Sequence, residues 1–198
     1  MEKETIRAQV MNTLKSLSST EKQLIEQAFY KTLFDSEHWK EATSIGVTLS
    51  GGLEWDTEPI IKQAWYEGKK VAVPKSIHAT RALHFYEIDQ FAQVKAGYFG
   101  IREPLVQETT RCAVETIDLM IVPGVVFTRE GYRIGFGGGY YDRLLADFPN
   151  TTLSLVCSSQ LVEEMPVEPH DIPVQYLIVG KTISTGQKHA IIEPIQPK

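Results

Sequence analysis

Between Gly124 and Arg143 the sequence reads GVVFTREGYRIGFGGGYYDR, and five glycines fall within the nine residues from Gly131 to Gly139. Glycine loses the most backbone freedom on folding, so such a cluster implies a sharp turn or a close approach to something. The stretch before it, DLMIVPG (118–124), has the composition of a buried strand, and YYDRLLADF after it has that of an amphipathic helix. A glycine loop that opens a helix offers unpaired backbone N–H groups, which favour an anion. Arg133 and Arg143 add guanidinium groups suited to phosphate oxygens. Asp142, in the first helical turn, fits two readings equally well: a complement to the helix dipole or a metal ligand. His170-Asp171 fits a loop turn better than a proton relay or a metal site.

The sequence excludes the common nucleotide motifs. GxxxxGK[ST] does not occur. Gly135-Phe136-Gly137-Gly138-Gly139-Tyr140 follows the dinucleotide fingerprint for three positions, then has Tyr140 where a third glycine or alanine belongs. It also begins about ten residues past its strand, whereas that fingerprint needs a tight strand-to-helix turn. No nucleophile elbow and no HExxH appear, which argues against a covalent hydrolase and a zinc protease.

The elements that must position these residues alternate. Ile6, Val10, Leu14 and Leu17 predict a helix over 3–17, with Lys3 and Arg7 one turn apart on a face that reads as solvated. Thr20 and Gln23 fit a capping box opening a second helix. Strands are expected at 44–50, 70–76, 83–88, 118–124, 153–158 and 175–180, with the third antiparallel. A helix capped by Asp56 or Thr57 lies between the first two, giving a βαβ unit. The fold class is therefore α/β: three layers, α/β/α, around a mostly parallel sheet. Ligands in such sheets bind beyond the carboxyl ends of the strands, which gathers the loops after Ser50, Ser76 and Pro123, with the Asp171 loop joining if it folds back.

The chain has 198 residues, 42% hydrophobic and 23% charged, which suits one globular domain, placed at 1–180 with a polar, loosely attached tail at 181–198. The net charge of −5 argues against nucleic acid as a partner. No apolar run has the length of a membrane span, and the polar start carries no secretory signal. Cys112 and Cys157 read as reduced, buried residues of a cytoplasmic protein.

On the motifs RIGFGGGYYDR, VEPHDIPV and KETIR, the chain from Lys3 to about Val179 resembles the 5-formyltetrahydrofolate cyclo-ligase family. The resemblance implies a fold of the NagB/RpiA/CoA-transferase-like class and ATP-dependent closure of 5-formyltetrahydrofolate, with or without a polyglutamate tail, to 5,10-methenyltetrahydrofolate. It implies ATP and Mg²⁺, and phosphorylation of the formyl oxygen followed by attack from N10. Lys3, Glu4, Thr5, Ile6 and Arg7 would bind ATP, as would Arg133, Ile134, Gly135, Phe136, Gly137, Gly138, Gly139, Tyr140 and Tyr141, with Arg133 and Tyr140 catalytic. That role for Lys3 and Arg7 reverses the solvated reading of their face. Phe136 to Tyr140 would also line the folate together with Leu49, Glu54 and Phe99, and Asp142 and Asp171 would ligate Mg²⁺. Glu54 could accept hydrogen bonds from the pterin amino and N–H edge. The expected assembly is a monomer or weak homodimer.

The chain departs from the family pattern in the loop SGGLE, where L-P-x-E is usual, and at Ile6, Thr128 and Gln175. A sugar-phosphate isomerase or CoA-transferase relative shares the fold class, which by itself cannot separate the two. A folate- or nucleotide-binding module without turnover is the non-enzymatic alternative.

Overall fold

The computed structural model describes residues 2–97, 101–180 and 190–194. Three helices come first: α1 (Lys3–Ser16), α2 (Ser19–Asp35) and α3 (Glu37–Glu41). There follow β1 (Ser44–Val47), α4 (Glu58–Tyr66), β2 (Lys70–Ile77) and β3 (Ala82–Ile88). The short strands β4 (Val94–Ala96), β5 (Arg102–Pro104) and β6 (Thr110–Cys112) precede β7 (Leu119–Ile121). Next come the two-residue strands β8 (Val126–Phe127) and β9 (Arg133–Ile134), then α5 (Tyr140–Leu145), β10 (Thr151–Cys157), β11 (Tyr176–Gly180) and β12 (Ala190–Pro194).

Among the described residues the main sheet has eight strands, in the order β12-β11-β10-β7-β1-β2-β3-β6. From β11 to β2 every pairing is parallel, while β12, β3 and β6 pair antiparallel at the two sides. Alternate residues of β7 point to opposite faces, as strand geometry requires. Leu119 and Ile121 enter the core shared with α1, α2 and α4, whereas Met120 joins the one that includes Leu145 of α5. The expected three-layer α/β/α class is the observed one, with a thin second helical layer.

Several boundaries differ from expectation, each for a local reason. The α2 cap is Ser18 rather than Thr20: its hydroxyl accepts from Glu21 N at 3.2 Å and Glu21 Oε2 accepts from Ser18 N at 2.9 Å. β1 stops at Val47 because Thr57 Oγ1 donates to the Thr48 carbonyl (2.6 Å) and accepts from Ser50 N (3.0 Å), bending 48–50 away from the sheet. Of the two caps expected for α4, Thr57 is thus engaged elsewhere and Asp56 serves, accepting from Glu58 N at 3.0 Å. The helix after the glycine loop has only six residues. The segment expected as a loosely attached tail contributes β12, paired with β11 along its length. Cys157 is buried and Cys112 half-buried, and neither is in a disulfide.

Candidate functional site

The glycine loop leaves β7 through the β8–β9 hairpin and ends at α5. Gly139, at φ 66°, turns the chain into that helix in a conformation that side chains rarely adopt. A Cβ at Gly138 would lie 2.5 Å from the Tyr140 ring, so this tyrosine can fold over the loop only because position 138 has no side chain. With six residues, α5 adds little dipole, and an anion here would rely on the loop's own N–H groups and on side-chain cations.

Those cations come from the far end of the chain. Arg7 Nε donates to the Gly135 carbonyl at 2.8 Å, and Lys3 Nζ donates to Asp171 Oδ2 at 2.6 Å and to Glu168 Oε2 at 3.0 Å. The solvated reading of their face is thus overturned: α1 buries Ile6, Val10 and Leu14 against the sheet, which turns Lys3 and Arg7 to the loops at its edge. Glu4 and Thr5 are exposed, and Ile6 is core.

Arg133, on β9, is only 5% exposed. Its guanidinium donates through Nη2 to Asp142 Oδ1 at 3.0 Å and through Nη1 to the Ile172 carbonyl at 2.5 Å. Ile172 N also approaches Asp142 Oδ1, at 3.4 Å. In this arrangement Arg133 orients Asp142 and ties α5 to the 165–173 loop. Burial lowers the guanidinium's pKa despite the neighbouring carboxylates, but an arginine remains charged. The loop does fold back to the sheet edge, and Asp171 is both a turn residue, accepting from Glu168 N at 2.7 Å, and the partner of Lys3. Burial disfavours both charges of that pair, yet their mutual hydrogen bond and attraction outweigh it, raising the Lys3 pKa and lowering that of Asp171.

The donor set fits a hard cation. The hydrogen bonds to Asp142 use Oδ1, those to Asp171 use Oδ2, and each leaves a second carboxylate oxygen. Glu168, His170 and Asp171 bring ligand atoms within 4.8 Å of one another, a group that includes Asp171 but not Asp142. Carboxylate oxygens completed by water suit Mg²⁺. Glu168, which the sequence reading did not single out, joins this cluster through its 3.0 Å ion pair with Lys3, and its place three residues before Asp171 in a turn was a signal for it.

Two tyrosines diverge from the start of α5. Tyr140 OH lies 2.9 Å from His78 Nδ1, beyond the end of β2, a contact no spacing rule foretells. Tyr141, partly buried, packs against the core beneath, where its hydroxyl has no hydrogen-bond partner among the described residues and burial raises its pKa.

Beyond β1, Glu54 forms part of the wall of a shallow cleft, otherwise mostly apolar, with Leu14, Leu53, Trp55, Val125 and Phe136 around it. Phe136 is 60% exposed, reaching from the glycine loop to the cleft. Burial pushes the Glu54 carboxyl up, against the opposing pull of Gly51 N and Lys22. Leu49 is packed in the core rather than on this wall, and Ile134 is buried too. Phe99 lies outside the described residues. Gln160, absent from the sequence reading, also lines the cleft and accepts from Trp55 Nε1 at 2.9 Å.

The structure thus joins KETIR, RIGFGGGYYDR and VEPHDIPV into one cluster, with the Glu54 cleft beside it. The model of the 5-formyltetrahydrofolate cyclo-ligase family matches residues 1–180. The 5-formyltetrahydrofolate cyclo-ligase of Escherichia coli is 33% identical over 72% of this chain and 80% of its own. That of Haemophilus influenzae is 27% identical over 90% of this chain and 97% of its own. The structure of 5,10-methenyltetrahydrofolate synthetase from Aquifex aeolicus superposes with a TM-score of 0.79 at 29% identity, covering 94% of this chain and 95% of that one. Sequence, structure and the convergence of the three motifs agree, and the chain belongs to the 5-formyltetrahydrofolate cyclo-ligase family.

Proposed function

We propose that this protein closes 5-formyltetrahydrofolate to 5,10-methenyltetrahydrofolate at the expense of ATP, releasing ADP and phosphate. The observation that carries the reading is the meeting of Lys3 with Asp171 and of Arg7 with Gly135, which brings three sequence-distant motifs to one sheet edge. Family membership favours it over the isomerase and CoA-transferase alternatives, which share only the fold class.

The chemical problem is that a formyl amide is a poor electrophile and hydroxide a poor leaving group. The formyl oxygen attacks the γ-phosphorus, forming an O–P bond as the bond to ADP breaks. N10 then attacks the same carbon, the C–O bond breaks, and phosphate leaves with the oxygen while N10 gives up its proton. Such a sequence asks the protein for alignment and charge stabilisation more than for covalent chemistry.

The residues divide accordingly. Lys3 and Arg7 supply cationic groups for the phosphates, and the Gly135–Gly139 backbone supplies N–H donors. Asp142 and Asp171 would hold Mg²⁺, which would neutralise phosphate oxygens. Arg133 keeps Asp142 aimed, and Lys3 would exchange Asp171 for phosphate when the nucleotide enters. Phe136 and Tyr140 form the floor shared by the two substrates. The Glu54 carboxylate accepts from the pterin amino and N–H groups, and Phe99 is assigned to stack on the ring.

The test is direct. Purified protein with 5-formyltetrahydrofolate, Mg²⁺ and ATP should produce the near-ultraviolet chromophore of the methenyl product together with ADP. No chromophore at saturating ATP and neutral pH overturns the proposal.

A further inference from the structure

Helix α2 meets the segment carrying Glu54 with a row of polar atoms. Lys22, Glu26 and Tyr30 are each four residues apart and therefore line one side of the helix. Lys22 Nζ donates to the Glu54 carbonyl at 2.9 Å, and Glu26 Oε1 accepts from Asp56 N at 2.9 Å. Tyr30 OH donates to the Asp56 carbonyl at 2.6 Å. Within the same row Phe29 meets Trp55 edge-on, with ring centroids 5.2 Å apart. One helix face thus engages each of residues 54, 55 and 56.

Loop backbone groups usually bond to water, so three taken by a single helix restrict this loop well beyond what its ends require. The loop is held from its other side as well. Arg102 donates to Glu58 Oε1 at 2.7 Å and to the Ser50 carbonyl at 3.3 Å. Glu54 folds its own Oε2 onto Gly51 N at 2.9 Å. Glu26 is only 8% exposed, and burial pushes its carboxyl up, so it is a costly side chain to keep there. An apolar residue in its place would leave Asp56 N without an acceptor.

We propose that Lys22, Glu26 and Tyr30 are positioning residues for folate recognition, fixing the backbone of residues 54–56 so that the Glu54 carboxylate meets the pterin donors already oriented. The inference rests on the reading of Glu54 as a folate contact. Its physical basis is preorganisation: a carboxylate held before the ligand arrives loses less freedom on binding. The row touches neither the glycine loop nor the acids at 142 and 171, so its effect should be confined to one substrate.

The experiment measures kcat, KM for each substrate and melting temperature in the full chain carrying K22M, K22R, Y30F, E54Q or K22M with E54Q. K22M should raise the 5-formyltetrahydrofolate KM about tenfold, as loss of a supporting contact does at other sites, and Y30F about threefold. The ATP KM should stay within about twofold in both, and K22R should recover most of the loss. Because Lys22 acts through Glu54, K22M should add nothing further in the E54Q background. If E54Q raises the folate KM while K22M and Y30F leave it unchanged, the inference falls and the Glu54 contact stands. If E54Q leaves the folate KM unchanged, the Glu54 assignment falls and takes the inference with it. Additive effects, or rises in both KM values that follow the melting temperature, would show a merely structural row and also overturn it.

Discussion

Around the glycine loop, charged side chains meet one another: Lys3 meets Asp171, and Arg133 meets Asp142. Arg7 and Arg133 also hold the Gly135 and Ile172 carbonyls there. Around Glu54 the balance shifts toward backbone: beside the pairs Arg102–Glu58 and Lys22–Glu26, the side chains of Lys22, Glu26, Tyr30 and Arg102 bond to main-chain groups between Ser50 and Asp56. The difference follows from what each end is proposed to bind. A polyphosphate with a cation brings its own charges and can displace one ion pair with another, so a region of exchangeable pairs suits it. A flat heterocycle is recognised by a fixed pattern of donors, and its acceptor has to be in place beforehand. On the proposed reading, one end would serve as an electrostatic reservoir and the other as a preformed template.

Substitutions can break or sharpen that contrast. The largest effect is expected from Asp142→Asn, which keeps an acceptor for Arg133 and Ile172 N but removes the charge. Turnover should fall about 100-fold or more, as for other losses of electrostatic stabilisation, and the melting temperature should fall as well, because the buried Arg133 charge keeps a hydrogen bond but loses its carboxylate. Wild-type rates across a Mg²⁺ titration would remove Asp142 from the metal set. Next comes Arg133→Ala, which strands a carboxylate beside a buried void and should cost about 3 kcal/mol of stability along with a weaker apparent affinity for ATP. Denaturant unfolding and the ATP KM measure the two parts, and an unchanged ATP KM would confine Arg133 to a structural role.

Glu54→Gln should act on the other end alone, raising the folate KM about tenfold and sparing the ATP KM. The wild-type folate KM should also improve as pH rises through the elevated pKa of Glu54, because only the ionised carboxylate accepts from both pterin donors, and the Gln variant should lose this dependence. Stability should run the opposite way. A carboxyl whose folded pKa is raised binds its proton more tightly in the native state, so stability falls as pH rises from the ordinary carboxylate range through the raised value. Parallel pH profiles of wild type and Gln variant would remove that titration from Glu54. The smallest effect belongs to Ser18→Ala, which breaks the α2 capping box and should cost about 1 kcal/mol while leaving the ratio of the two KM values unchanged. A shift in that ratio would show that fraying of α2 reaches the Glu54 row.

Much of the glycine-loop end was legible in the chain because its parts lie in short motifs. RIGFGGGYYDR contains the loop, Arg133 and Asp142 within a few residues, and the Lys3–Arg7 spacing puts both cations on one side of α1. What spacing could not settle was whether that side met water or protein, since amphipathic periodicity identifies the buried stripe and says nothing of the rim beside it. The role of Arg133 was only half legible: its charge pointed to phosphate, while its burial against Asp142 depends on strands too short to carry a pattern. His78 and Glu168 entered through contacts between loops, which have no period. Gln175, one of the departures from the family pattern, pairs with Thr152 through reciprocal hydrogen bonds and so serves the sheet.

By itself, the sequence determined the alternating elements, the mostly parallel sheet, the edge at which the loops gather, and, through its motifs, the family. These follow from local periodicity and from motifs whose geometry is encoded within a few residues. Only the tertiary structure decided that Lys3 is joined to Asp171, that Leu49 is core while Gln160 lines the cleft, and that α2 supports Glu54. Each of those depends on residues far apart in the chain meeting at a particular angle, and the packing of α1 and α2 against the sheet sets that angle.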